Sequence, residues 1–477
     1  MTTQSQPDPH PAQVGVNTER AVRDLVSSAV SRLSEALKDQ EPEWEIDSQW
    51  KRGDDGHFRE HHTERTRILW SILNEKWLHS LPEYNACVER LTADAAIGPH
   101  LGRLVGTSFS AMRLDPDNVL WSAIYGILDD GDAIGYTDER FDRSWQELVD
   151  FFCADQILLK TVAPLPRLVI VDFPLRLNNE LVLDRLTEDE VTRCCQVGLL
   201  RPDWQRFPLI DSDVAVGIRR TVSTPKRIGT GDEPPDLTGA QAEGSFGSRP
   251  SRRDDLVVDD VLSTLRLFKH SPVHTAGHAS WSDSFWLRGG TSYRVLGQPP
   301  YSGKYELSEG EVPQFLELWY LLQEGAAHFS FSIHRFNLAF DRGLVADRMV
   351  DLVIAAESLF LGDLGVQDRG ELRFRFALRA AKFIEHPVYA QRDVYRVMRL
   401  AYDARSAIVH GGSPKDTSLP DNESATFPTF IDAVEELVRL GLRKGLSMKK
   451  DGKKLRQAEY WDDLVLSKPD IVPNPLG

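Results

Sequence analysis

Cysteine is scarce in this chain of 477 residues. The thiols Cys87, Cys153, Cys194 and Cys195 are too irregularly spaced for a disulfide framework or a zinc ribbon. They read as reduced thiols in a cytoplasmic protein, with the adjacent Cys194 and Cys195 serving packing rather than redox chemistry. No run approaches the roughly 18 apolar residues that a membrane-spanning helix needs. The opening MTTQSQPDPHPAQ has neither the basic start nor the apolar middle of a signal peptide. Positive charge is also in deficit: 56 Lys and Arg stand against 72 Asp and Glu, a net charge of −16. That balance argues against a surface built for indiscriminate nucleic-acid binding. A Gly-rich phosphate loop, a nucleophile elbow and a kinase signature are all missing.

What remains is an ordinary soluble composition, 41% hydrophobic and 27% charged, in a chain long enough for roughly two to four domains. The pattern reads as α+β and mostly α. Residues 1–16 form a disordered tail, and 17–160 a mainly helical N-terminal region. Within it Val22, Leu25, Val26, Val30, Leu33 and Leu37 mark an amphipathic helix, and 57–80 also reads as helical. Residues 161–307 form a mixed strand and helix region. Its RLVIVDF and ELVLDRL runs are strands around a turn, and LTEDEVTRCCQVG is a short helix capped by Thr187 with Glu190 at its third position. The Gly-, Pro- and Ser-rich stretch 223–255 reads as a disordered loop within it, followed by a helix at 256–269 and strand-like material at 281–296.

From Ser308 the pattern is helical to about 450. Ser308 and Glu311 form a capping-box signature. Further helices fall at 327–341, 344–361, 369–386, 388–410 and 424–447, with Gly343, Gly362, Pro387 and Gly411-Gly412 at the breaks. Short connections imply an antiparallel bundle over 308–450, and 451–477 reads as a basic, irregular tail. Positive charge is concentrated in this half. Between Arg369 and Arg405 nine basic residues face four acids, and Lys449, Lys450, Lys453, Lys454 and Arg456 follow the last long helix. These are either solvated helix faces or a positive side turned toward RNA.

The stretch Tyr402-Asp403-Ala404-Arg405-Ser406-Ala407-Ile408-Val409-His410-Gly411 carries an Arg and a His separated by four residues. A composition like this one yields that spacing by chance about once, so its context carries the weight. Five helical residues turn the chain about 140° beyond a full circle, so Arg405 and His410 do not share one stripe. Arg399, Asp403, Ser406 and His410 do share a polar face, while Arg405 lies beside Val394, Met398 and Val409 at the apolar margin. A guanidinium there needs a carboxylate, a phosphate or a subunit boundary. Glu357, the lone acid in VIAAESLFL, is one available partner. His410, at a helix end, is equally placed to cap carbonyls.

In context, DRMVDLVIAAESLFLGD, GELRFRFALRAAKFIE and VYRVMRLAYDARSAIVHGG resemble, in order, spacing and residue type, the ApeA-like branch of the HEPN family across roughly 340–415. Ser406 stands where many HEPN nucleases have Asn, His or Asp. The resemblance implies a C-terminal helical HEPN bundle that pairs two-fold into a homodimer. It also implies a metal-independent, cofactor-free endoribonuclease acting as a toxin-like or antiviral effector. In that reading Arg405 binds the scissile phosphate and His410 moves protons, with Asp403, Ser406 and Glu357 as orienting groups and Arg399, Arg379 and Arg375 as RNA contacts. The N-terminal 300 residues sense a trigger or restrain the nuclease.

Two rival classes stay open. One is a non-catalytic interaction protein whose bundle only dimerises. The other is a metal-dependent hydrolase using histidine sets: His57 and His61, spaced as a helical clip beside Glu60 and His62, or His270, His274 and His278, where Pro272 and Gly277 favour a loop.

Overall fold

The computed structural model describes residues 14–37, 43–67, 75–106, 111–128, 135–154, 156–166, 168–170, 174–200, 209–210, 215–225, 227–228, 250–270, 273–282, 292–295, 304–365, 371–414 and 417–466. These form an α+β fold with helices in the majority. Among them no helix is long and apolar enough to cross a membrane.

The chain opens with α1 (Val16–Leu37), which buries the predicted stripe of Val22, Leu25, Val26, Val30 and Leu33. A hairpin of β1 (Glu43–Arg52) and β2 (Phe58–Arg67) follows. It stands where 57–80 reads as helix, and among the described residues of that stretch only α2 (Glu75–His79) is α-helical. The reason lies in the turn. Gly56 has a φ of 82°, and the Gly53 N–H donates to the His57 carbonyl, so an Asp-Gly turn reverses the chain. The helical clip is lost with the helix. His57 sits at that turn and His61 inside β2, and four extended residues put them about 13 Å apart, beyond the reach of one ion. Next come α3 (Tyr84–Ala93), β3 (Arg103–Gly106), β4 (Ala111–Leu114), α4 (Pro116–Leu128) and α5 (Asp138–Cys153). Helices α1, α3, α4 and α5 enclose one core of Val26, Leu91, Leu120, Ile124, Phe141 and Leu148.

Strand β5 (Gln156–Pro164) runs through position 160, where the sequence pattern puts a regional boundary. Then follow β6 (Leu168–Ile170), β7 (Leu175–Arg176), β8 (Leu181–Arg185), α6 (Glu188–Gln196), β9 (Leu209–Ile210), β10 (Val216–Pro225), β11 (Arg227–Ile228), α7 (Pro250–Phe268), β12 (Gly277–Ser282), β13 (Ser292–Val295) and β14 (Tyr305–Leu307). A six-stranded sheet runs β13-β12-β5-β10-β8-β7, its two central strands in register with Ile218 opposite Ala163 and Arg220 opposite Thr161. The front of the chain is tied to this sheet region: β9 pairs with β2 and β11 with β3. The Thr187–Glu190 capping box forms, and Glu190, fully buried, also accepts from the Arg219 Nε at 2.5 Å. Of the loop expected at 223–255, residues 223–225 and 227–228 are strand and 250–255 belong to α7; 229–249 lie outside the described residues.

The C-terminal helices are α8 (Val312–Asp341), α9 (Val345–Phe360), α10 (Leu372–Phe383), α11 (Gln391–Val409), α12 (Phe427–Ser447) and α13 (Ala458–Leu466). Residues 344–410 hold no strand among those described. Three residues join α8 to α9, which forces the two to fold back on each other. Where two helices read from the sequence, α8 is one of 30 residues. Gly325 sits inside it, and a Cβ there would lie 3.4 Å from the Leu446 side chain, so its small size suits the close packing of α12. Gly441 likewise lets α12 approach Phe360.

Of the irregular tail expected at 451–477, residues 451–466 are ordered structure, and 467–477 lie outside the described residues. A 3-10 segment, Lys449–Arg456, leads into α13, and the Trp461 ring is fully buried against Phe360 and Phe383. The core of these helices is continuous with the six-stranded sheet through α7, Tyr305 and Leu307.

Candidate functional site

Helix α11 packs its apolar face, Val394, Val397, Met398, Ala401 and Ala404, into the bundle. Arg405 follows Ala404 at the edge of that face, as its position predicts. Its side chain is 29% exposed, and Nη2 lies 3.8 Å from Oε2 of Glu357 on α9, itself 22% exposed. The separation exceeds a hydrogen bond, so the contact is electrostatic. The Arg405 Nε is buried with no hydrogen-bond partner, which leaves donor capacity on a guanidinium already fixed in place. Burial raises the Glu357 carboxyl above the usual carboxylate range, and Arg405 opposes that shift. The half-buried Tyr402 phenol is also pushed up, by burial first and then by the Glu357 charge.

His410 caps α11 and is exposed. Its backbone N–H donates to the Ser406 carbonyl at 3.2 Å, and Gly411 at φ 76° ends the helix. Arg405 and His410 are thus about 7.5 Å apart along the helix axis. Asp403 pairs with Arg373 of α10, which ties α10 to α11 rather than reaching toward His410. Arg399 lies over the Tyr395 ring at 5.8 Å, and its Nε too is buried without a partner. Ser406 and Arg375 are half-buried.

Arg379 does not belong with these residues. It is 5% exposed, donates to both oxygens of Asp363 and to the Phe360 carbonyl, and lies over Trp461 at 5.1 Å. Its charge ties the end of α9 to α10, and its burial and pairing suit a structural role rather than the RNA contact expected of it. Phe376, three residues before Arg379, and Phe383, four after, share its helix face and carry the signal that it points inward.

The sequence reading also missed Tyr402, Arg373 and a buried ionic network on α12. There Glu435 is fully buried. It accepts from Arg348 of α9, from Arg439 Nη1 at 3.0 Å and from His270 Nδ1 at 2.9 Å. Arg348 Nη1 is also 3.1 Å from Asp432. His270, Asp432 and Glu435 are the one trio among the described residues with atoms close enough to share a metal ion. The chemistry does not fit one. Two guanidiniums already neutralise the two carboxylates, and a divalent ion would add two uncompensated charges beside them. His274 and His278 are not part of this group; His274 lies in a loop as expected, whereas His278 stands in β12.

Comparison with family models, with curated protein sequences and with solved structures finds no match to this chain.

Proposed function

We propose that the chain is a metal-independent endoribonuclease of HEPN type, working as a homodimer through its C-terminal bundle. One observation carries the reading: Arg405 is held across α9 and α11 by a charge contact that leaves its Nε unpartnered, about one and a half helical turns from an exposed histidine. A guanidinium fixed but not saturated is suited to take the oxygens of a phosphate. An exposed imidazole is suited to proton transfer near neutral pH.

In the reaction, the ribose 2′-oxygen attacks the adjacent phosphorus and loses its proton to a base. The P–O bond to the next ribose breaks, and an acid protonates the leaving 5′-oxygen. His410 takes one of these roles. Arg405 stabilises the charge that builds on the phosphoryl oxygens. The angular offset of Arg405 and His410 on one helix favours a cleft where a second copy supplies another such pair. Arg399 and Arg375 add local positive charge, and Glu357 and Tyr402 hold Arg405 in its setting. Toxin-like or antiviral action, triggered through the front 300 residues, follows from the HEPN resemblance.

The Arg405–Glu357 contact itself favours a second reading, a non-catalytic dimerisation module in which the pair only joins two helices. Incubating RNA with the protein in EDTA, alongside His410→Ala, separates the two. Cleavage by wild type and none by the variant supports the nuclease. Absence of cleavage by the wild type in any condition supports the module. Cleavage abolished by EDTA overturns both.

A further inference from the structure

The 3-10 segment Lys449–Arg456 carries the sequence KKDGKKLR, five basic residues and one acid, in a chain whose net charge is −16. A basic run of this kind is ordinarily a solvated tail. Here it is a built platform. Leu455 is 1% exposed, and the Trp461 indole N–H donates to its carbonyl at 3.0 Å. Gly452 is pressed against Phe329 so closely that a Cβ would lie 2.9 Å from the ring. Lys449 adopts a φ of +50°, a left-handed conformation unusual for a side-chain-bearing residue. Lys449, Lys453 and Lys454 nevertheless stay exposed. The pairs Lys449–Glu324, at 3.6 Å, and Lys454–Asp451, at 3.1 Å, are open to solvent and easily exchanged.

The platform is also tied to the candidate site. Arg456 donates through Nη1 to the Ser358 carbonyl and through Nη2 to the His328 carbonyl. Ser358 is the residue after Glu357, the partner of Arg405. Consecutive residues of the last turn of α9 therefore hold Arg405 on one side and anchor the lysine platform on the other. We infer that Lys449, Lys453 and Lys454 form a rigid lane for the backbone phosphates of single-stranded RNA, flanking the nucleotide that Arg405 engages. The location rests on the nuclease reading; the measurement does not. A polyanion approaching an acidic protein is drawn to a place where positive charge is concentrated and preorganised. Rigid placement lowers the entropy lost when phosphates bind.

The test uses the full chain with His410→Ala, so that RNA stays intact, and a short fluorescent single-stranded RNA read by anisotropy across a salt series. Each phosphate contact contributes about 0.7 to the slope of log K against log salt for single strands. Replacing all three lysines by glutamine is expected to lower the slope by about 2, while Lys51→Gln with Lys76→Gln leaves it unchanged. Lys453→Gln alone, at an exposed residue, guards against misfolding of the triple variant and is expected to lower the slope by about 0.7. An unchanged slope, or no RNA binding by the parent at low salt, overturns the lane. So does lysine-dependent binding to phosphatidylserine vesicles with an unchanged RNA slope, which assigns the platform to a membrane surface. A lowered slope without cleavage by the wild type keeps the lane and sinks the nuclease. Cleavage with an unchanged slope does the reverse.

Discussion

Arg405→Ala is the substitution on which the nuclease reading turns, and its two effects differ enough in size to be told apart. Arg405 and Glu357 are 3.8 Å apart with side chains 29% and 22% exposed. At an effective dielectric of about 20, the gross attraction at that distance is about 4 kcal/mol. Partial solvent access and desolvation offset most of it, leaving about 1–2 kcal/mol. A fully buried pair would cost about 3–5 kcal/mol to break. Burial already raises the Glu357 carboxyl and Arg405 opposes that rise, so removing Arg405 pushes it further up. Against a folding stability of about 5–15 kcal/mol, such a change leaves nearly every molecule folded. Loss of a phosphate-stabilising group, by contrast, lowers kcat on the order of 100- to 1,000-fold, about 2.7–4 kcal/mol in the barrier. The assay pairs initial rates of RNA cleavage in EDTA with denaturant midpoints for wild type, Arg405→Ala, Arg405→Lys and His410→Ala. Arg405→Lys keeps the charge but not the planar fork and is expected to fall between wild type and alanine. His410, exposed at a helix end, is expected to cost at most about 1 kcal/mol of stability and nearly all activity. Activity of Arg405→Ala that falls only with its folded fraction, or full activity in His410→Ala, refutes the reasoning.

Three further outcomes are expected. Glu435→Gln, which leaves the Arg348 and Arg439 guanidiniums facing a neutral amide, is expected to destabilise by about 3–5 kcal/mol in urea unfolding; a loss under about 1 kcal/mol means the network is not energetically buried. The His270 imidazole is raised, first by its hydrogen bond to Glu435, so its contribution is complete below its ordinary pKa of 6.5 and fades as pH rises through the higher folded value. Glu435 is held low by His270 and the two arginines against the cost of burial, and its contribution fades as pH falls below its ordinary 4.5. Wild type is therefore most favoured over His270→Gln between about pH 4.5 and 6.5, and melting curves that shift equally for both at all pH values count against the pair. Light scattering at micromolar concentration is expected to give twice the 53.8 kDa chain mass, and a monomer that still cleaves RNA rules out a shared cleft.

The long helices of the C-terminal half were the most legible part of the chain, and the reason is physical. Residues 345–360, 372–383, 391–409 and 427–447 each present an apolar stripe at helical spacing, and the first three stop within four residues of a Gly or Pro. Legibility failed where the stripe was weak or the turn did the work. EHHTERTR on β2 alternates little, so only the Asp55-Gly56 turn and its pairing with β1 reveal a strand. Helix α8 runs unbroken through Gly325, a residue of low helix propensity that lies in contact with Leu446. The last helix, α13, is short, and its docking depends on Trp461 meeting Phe360 and Phe383, contacts about 80–100 residues distant that no local pattern encodes.

The site divides along the same line. The Arg405–Glu357 contact was legible because an acid alone in an apolar run and an arginine at an apolar margin each need a partner of opposite sign, and the fold provides few. The same logic applied to FRFALRAAKF marks Arg379 as inward, since Phe376 and Phe383 flank it at helical spacing; it was its place in a resembling motif that grouped it with RNA contacts. Glu435 shares the buried face of α12 with Ile431, Val434, Val438 and Leu442, so its burial was readable. Its partners were not, because Arg348, on α9, and His270, just beyond α7, come from segments far apart in sequence. A charge on an apolar face can therefore be recognised as needing compensation from sequence alone, but only the fold says whether the compensation is complete. At Glu435 the buried carboxylate takes three donors, from Arg348, Arg439 and His270. At Arg405 the one nearby carboxylate stands beyond hydrogen-bond distance. That difference in how far each carboxylate is satisfied sets the two sites apart more than the spacing of Arg and His does.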